Sequence, residues 1–142
     1  RKHCRPGTPD SQIEKSFNSL VTGMPPEKAE YLKRLSRRYP LYMVSNNNAI
    51  MMVHNSGLFD KAGVPLKDHF KDLILSHELH IQKPDREFYL EAVRRTGLEP
   101  EELLFVDDSQ INVDAAKACG MKAVLYILGT SLEQTIEQAL AQ

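Results

Sequence analysis

Four short runs with apolar centres, LYMVS at 41–45, FKDLILS at 70–76, LLFVD at 103–107 and MKAVLYI at 121–127, limit what this chain can fold into more than any other feature. Each is the length of a strand, and the uncharged LYMVS reads as a strand covered on both faces. Segments with helical signals separate consecutive runs. Parallel neighbours need a long crossover, usually a helix, and such crossovers are right-handed. The alternation from residue 41 onward therefore predicts an α/β layer with parallel strands.

Caps and faces mark the helices. PEKAEYLKRLSRR at 26–38 places Ala29, Leu32 and Leu35 on one face with charges opposite. Residues 47–56 read as helical, with Met51 and Met52 beside Val53 expected in the core. KPDREFYLEAVRRTG at 83–97 opens at Pro84 and closes at Gly97. NVDAAKACG follows the third run, and TSLEQTIEQALA ends the chain with Thr130 and Glu133 spaced for a capping box. Residues 1–10 read as a tail or loop, and 10–21 as a helix carrying Ile13, Phe17 and Leu20. The first 24 residues, helical without a strand, suggest an appendage above the sheet.

Composition narrows the partner classes. With 142 residues, 42% of them hydrophobic, one core-forming domain is expected. Eighteen Lys and Arg against nineteen Asp and Glu leave a charge of −1 with both signs scattered, which argues against nucleic acid or an anionic membrane and for a small-molecule partner. Tyr31 and Tyr39 among Lys33, Arg34, Arg37 and Arg38 read as the solvated side of an amphipathic helix rather than a nucleic-acid face. Cys4 and Cys119 lack metal-type spacing and suit a reducing compartment, with a long-range disulfide as the open alternative. No run approaches the roughly 20 apolar residues of a membrane span, and the start lacks a signal-peptide core, so a cytoplasmic location is expected. The start is not Met, and the sequence reads as a piece of a longer chain.

Ligands of open parallel sheets bind beyond the carboxyl ends of the strands. Those ends deliver Ser45 followed by Asn46, Asn47 and Asn48, then Lys83 after a short loop, then Asp107 and Asp108. Neighbouring strand residues point to opposite faces, so both aspartates serve one site only where the strand ends. Two close carboxylates repel, and a proton or a cation relieves this; Mg²⁺ is commonly held by one or two carboxylates, waters and phosphate. The alternative is that Asp107 ends the strand and Asp108 or Ser109 caps the next helix. Lys83, just before Pro84, lies where a helix start favours an anion, or is a solvated surface charge. Ser45 alone fits a structural hydroxyl, and turn formation accounts for most of the asparagine run, with phosphate contact by Asn46 as the second reading. His77 and His80 in SHELH complete no zinc pattern.

Taken in order, VSNNNAI, IQKPD and LLFVDDSQIN, with a helix and AxxxG after them, resemble the second, third and fourth motifs of haloacid dehalogenase-like (HAD) hydrolases. The resemblance runs over roughly residues 25–128 and is nearest to small phosphatases with a helical cap that carry Ser-Asn-Thr-Asn after the second strand; Asn47 stands in place of the Thr. It implies a three-layer Rossmann-like α/β core with a parallel sheet, and the remnant of a helical cap. It also implies that Ser45 hydrogen-bonds the transferring phosphoryl group and that Lys83 neutralises it and holds the nucleophile. Asp107 and Asp108 would position Mg²⁺, Asn112 would steady the acidic loop, and Asn46 would lie near the phosphate of a small phosphorylated metabolite. The family uses an aspartate nucleophile that becomes an aspartyl-phosphate, which water cleaves with help from a second aspartate two residues on.

The sequence departs from the family at that nucleophile. No Asp-x-Asp occurs in residues 1–142, and the strand that would carry it is central in the family, between those ending at Ser45 and Asp107. The resemblance thus assigns 1–24 to the remnant of the cap and its linker, and 25–142 to a core lacking its first strand. A missing N-terminal segment or another chain would complete the sheet, whose open inner edges invite association. The 142 residues alone are expected neither to hydrolyse phosphate nor to behave as a monomer. Alternatives are a non-catalytic scaffold or binding protein, a phosphomutase, or a dehalogenase, the last needing no metal at Asp107 and Asp108. A phosphorylation-receiver domain is disfavoured by order, since receivers place the acidic pair first and the lysine last.

Overall fold

The computed structural model describes residues 24–46 and 48–142. The helix expected over 10–21, Cys4, and all of the expected cap remnant except Met24 lie outside the described residues. The chain divides into two compact units, Arg1–Tyr39 with Asn47–His69, and Pro40–Asn46 with Phe70–Gln142.

In the first unit, α1 (Pro26–Arg38) begins on a proline and buries Ala29, Tyr31 and Leu35, with Leu32 half-buried. Tyr31 is therefore core, not part of a polar face. Helix α2 (Ala49–Lys61) is capped by Asn48, whose side chain accepts from the Met51 N–H at 2.8 Å. The expected burial of Met51, Met52 and Val53 is corrected here: the methionines are half-buried, Val53 is exposed, and no described residue of α2 is buried. Its apolar residues, Ile50 to Val53 consecutively and then Leu58, fall around the whole circumference, so no single face can bury them all. After α3 (Leu66–His69), the Ser36 hydroxyl ties α1 to His69. Ser36 donates to the Lys33 carbonyl at 2.8 Å, so its contact with His69 Nδ1 at 3.1 Å requires the imidazole to be the donor.

The second unit holds the strands. β1 (Tyr42–Ser45) runs parallel to β2 (Asp72–Leu75), with Ser45 opposite Leu75, and β3 (Leu104–Asp107) runs parallel to β4 (Lys122–Leu125), with Asp107 opposite Leu125. The parallel strands of the expected α/β core are present, but as two separate pairs; among the described residues no ladder joins β1 to β3. The helices are α4 (Ser76–Leu79), α5 (Arg86–Thr96), α6 (Gln110–Ala118) and α7 (Leu132–Leu140), with a 3₁₀ turn at Pro100–Glu102.

One helix serves both strand pairs. On α5, Phe88 and Ala92 pack on Ile74 of β2, with Val44, Leu79 and Ile81 around them. The adjacent Tyr89 packs instead on Phe105 of β3 and Ala116 of α6, and Val44 touches this cluster as well. Successive helical residues project about 100° apart, which is how two neighbours reach two pockets. Arg95, the penultimate residue of α5, makes a two-pronged ion pair with Asp72 at the start of β2, at 2.6 and 2.7 Å. Gly97 closes α5 with φ 71°, as the sequence predicts.

The capping box expected from Thr130 and Glu133 is corrected by one position. Ser131 is the N-cap of α7 and accepts from the Gln134 N–H at 3.2 Å, while the Thr130 hydroxyl donates back to the Ile127 carbonyl. The turn at 127–130 claims the threonine first.

Candidate active site

Lys83 ties the ends of the two strand pairs together. Its main chain is clamped by the residue after β1: the Asn46 side-chain oxygen accepts from the Lys83 N–H at 2.9 Å, and the Asn46 amide donates to the Lys83 carbonyl at 2.9 Å. An amide side chain suits this task because it offers a donor and an acceptor in one plane. The lysine's own side chain then runs to the end of β3, where Nζ meets Asp107 Oδ2 at 2.5 Å. Both partners are shielded, with side-chain exposures of 10% and 7%. The carboxyl ends of β1 and β3 therefore lie within the reach of one lysine side chain, although no strand hydrogen bond joins them.

Asp107 is held from three sides. Oδ1 accepts the Ser109 N–H at 2.9 Å and the Asn112 amide at 3.2 Å, while Oδ2 faces Lys83. Burial pushes this carboxyl up. The hydrogen bond and charge of Lys83, with the Ser109 and Asn112 donors, outweigh burial and hold it below the usual aspartate value. Asn112 is brought to Asp107 because α6 starts two residues beyond Asp108, which puts Asn112 in the first turn of that helix.

Asp108 and Ser45 adjoin this network in sequence and take no part in it. Asp108 is exposed, and neither side chain makes a hydrogen bond or ion pair among the described residues. Asp107 has three of its roughly four lone-pair positions filled, leaving one, and the exposed carboxylate of Asp108 follows it in the chain. Two carboxylates with free oxygen positions fit a hard divalent cation that completes its shell with water and phosphate. Among the described residues no group of three or more His, Cys, Asp or Glu could hold a metal, so such an ion would draw most of its ligands from elsewhere.

Two further residues flank the pair, Phe105 inside LLFVDDSQIN and Tyr89 outside the motifs. The Phe105 ring on β3 has the Lys83 ammonium 5.7 Å from its centroid, within cation–π range. The Tyr89 ring meets Phe105 edge-on at 5.5 Å. Both read in sequence as ordinary apolar core. For Tyr89, the clue is that a buried phenol needs a hydrogen-bond partner for its hydroxyl.

No helix among the described residues is long and apolar enough to cross a membrane. The family model of haloacid dehalogenase-like hydrolases matches residues 18–120. The chain is 33% identical over 96 residues to the D-ribitol-5-phosphate phosphatase of Bacteroides thetaiotaomicron, an overlap of 67% of this chain and 47% of that protein. It is 31% identical over 112 residues to the phosphoserine phosphatase of Thermus thermophilus, covering 69% and 45%. It thus spans about half the length of the curated relatives it matches. A HAD family enzyme of Bacteroides thetaiotaomicron, crystallised as an aspartate-to-alanine mutant with magnesium and inorganic phosphate, superposes with a TM-score of 0.83 at 28% identity, covering 89% of this chain and 66% of that one. A HAD-like hydrolase of Porphyromonas gingivalis gives 0.84 at 26% identity, covering 95% and 66%. The fold and the profile agree: this chain belongs to the haloacid dehalogenase-like hydrolases.

Proposed function

We propose that the protein these residues belong to hydrolyses a small phosphomonoester with Mg²⁺, through an aspartyl-phosphate whose aspartate lies outside the 142 residues. The observation that supports this most is the shielded Lys83 ammonium, clamped by Asn46 after β1 and paired with Asp107 at the end of β3. In this reading the ester P–O bond breaks as a carboxylate oxygen bonds to phosphorus, the alkoxide leaves as the alcohol with a proton from the second aspartate, and water, giving a proton back to that aspartate, then cleaves the acyl phosphate to inorganic phosphate and the free carboxylate. Lys83 offsets the charge of the phosphoryl oxygens, and the Ser45 hydroxyl donates to one of them. Asn46 acts by holding Lys83 as well as by proximity to the phosphate. Asp107 and Asp108 hold the metal, which when bound supplies further charge neutralisation, and Asn112 keeps Asp107 in place.

The same reading places the protein in the cytoplasm, takes residues 1–24 as the end of a helical cap, and has a strand from elsewhere in the polypeptide or from another chain complete the sheet. The rival, a non-catalytic scaffold that binds phosphate without turnover, is favoured by the lack of any Asp-x-Asp in this sequence. Phosphate release from p-nitrophenyl phosphate by the full-length protein, with and without Mg²⁺, separates them. The phosphatase reading requires turnover that needs Mg²⁺ and is lost in Asp108→Asn. Mg²⁺-independent turnover, or turnover by the 142 residues alone, would overturn it.

A further inference from the structure

Tyr89 has no role in the chemistry proposed above, yet it touches both sides of the Lys83–Asp107 pair at one remove. It is fully buried on α5. Its hydroxyl donates to the main-chain carbonyl of Asn112 at 3.0 Å, and the side chain of that same Asn112 donates to Asp107 Oδ1. Its ring backs Phe105, whose face receives the Lys83 ammonium. A residue wanted only for volume would need the ring alone. The hydroxyl adds an anchor on the one residue of α6 whose side chain reaches the carboxylate.

We infer that Tyr89 is a positioning residue: its hydroxyl fixes the Asn112 main chain so that the Asn112 amide stays on Asp107, while its ring fixes the Phe105 face under Lys83. The inference takes from the proposed phosphatase reading only the reaction it serves; the placement needs neither metal nor turnover.

The test is a ¹H–¹⁵N measurement of side-chain amide exchange in the full chain without Mg²⁺, comparing wild type with Tyr89→Phe, which keeps the ring. The Asn112 amide protons should exchange faster by about fivefold, the equilibrium equivalent of one neutral hydrogen bond. The Gln110 amide, bonded to Asp114 on the same helix at 2.8 Å, should not change. No change at Asn112, or equal acceleration at both amides, would overturn the inference, the second outcome marking a general loosening of α6. Should Tyr89→Phe fail to fold, the wild type decides. A protected Tyr89 hydroxyl proton with through-bond coupling to the Asn112 carbonyl carbon supports the inference, and a freely exchanging one refutes it. Failure of the phosphatase assay would leave this measurement unaffected.

Discussion

Asp107 accepts bonds from Lys83, Ser109 and Asn112, and together they hold its carboxyl below the ordinary value despite burial. Its stabilising effect is therefore complete above the unfolded-state pKa, about 3.9, and is lost as pH falls through the lower folded-state value. Urea unfolding between about pH 3 and 7 should show wild type well above Asp107→Asn at neutral pH, with the gap closing as the solution is acidified. At neutral pH the gap should be about 3–5 kcal/mol, because the substitution leaves the shielded Lys83 charge without its partner. Asn46→Ala removes two bonds to the Lys83 main chain and should lower stability by about 1 kcal/mol. Asn46→Asp should cost more, since a carboxylate oxygen would replace the donor that faces the Lys83 carbonyl; denaturant midpoints of the two variants check the order. The sequence placed Ser45 and Asp107 at the last positions of their strands, because strand ends are where apolar runs stop. It did not show that Asn46 grips Lys83 or that Tyr89 and Phe105 flank the pair. Those contacts join residues far apart in the chain, and a buried tyrosine in a helix looks the same whether or not its hydroxyl matters.

Among elements, all four strands were legible, and each is shorter than its apolar run suggests. A run such as MKAVLYI carries apolar residues past the last ladder bond, where Tyr126 leaves β4 and its N–H closes on the Asp107 carbonyl. The helices α3 and α4 left no trace in the sequence, since four residues span barely one helical period and show no repeat. Helix α2 runs on to Lys61, past the expected end at 56, because Gly57 lies within it rather than closing it. The shift of the α7 cap has a direct check. Ser131→Ala should lower the stability of the chain by about 1 kcal/mol. Thr130→Ala should alter the 127–130 turn and leave the helix bond to Gln134 intact, so circular dichroism on melting should separate the two.

For the whole molecule, the feature that matters most is the division of the strands into two pairs. Among the described residues each of the four strands has a ladder partner on one edge only. Exposed edges of this kind recruit other strands. Sedimentation velocity of the 142 residues should therefore show species larger than a monomer, and co-production with a segment supplying an apolar strand that ends in Asp-x-Asp should shift them to one complex. A stable, sharp monomer with no added segment would contradict that expectation. The family-level fold was readable because three ordered motifs survive between residues 44 and 112; the open seam was readable only from the absence of a fourth.

Helix α5 gives that seam a mechanical property. Phe88 is keyed into one strand pair and Tyr89 into the other, so the helix cannot be repacked against one pair without disturbing its seat on the other. The helix acts as a common axle on which both strand pairs are seated.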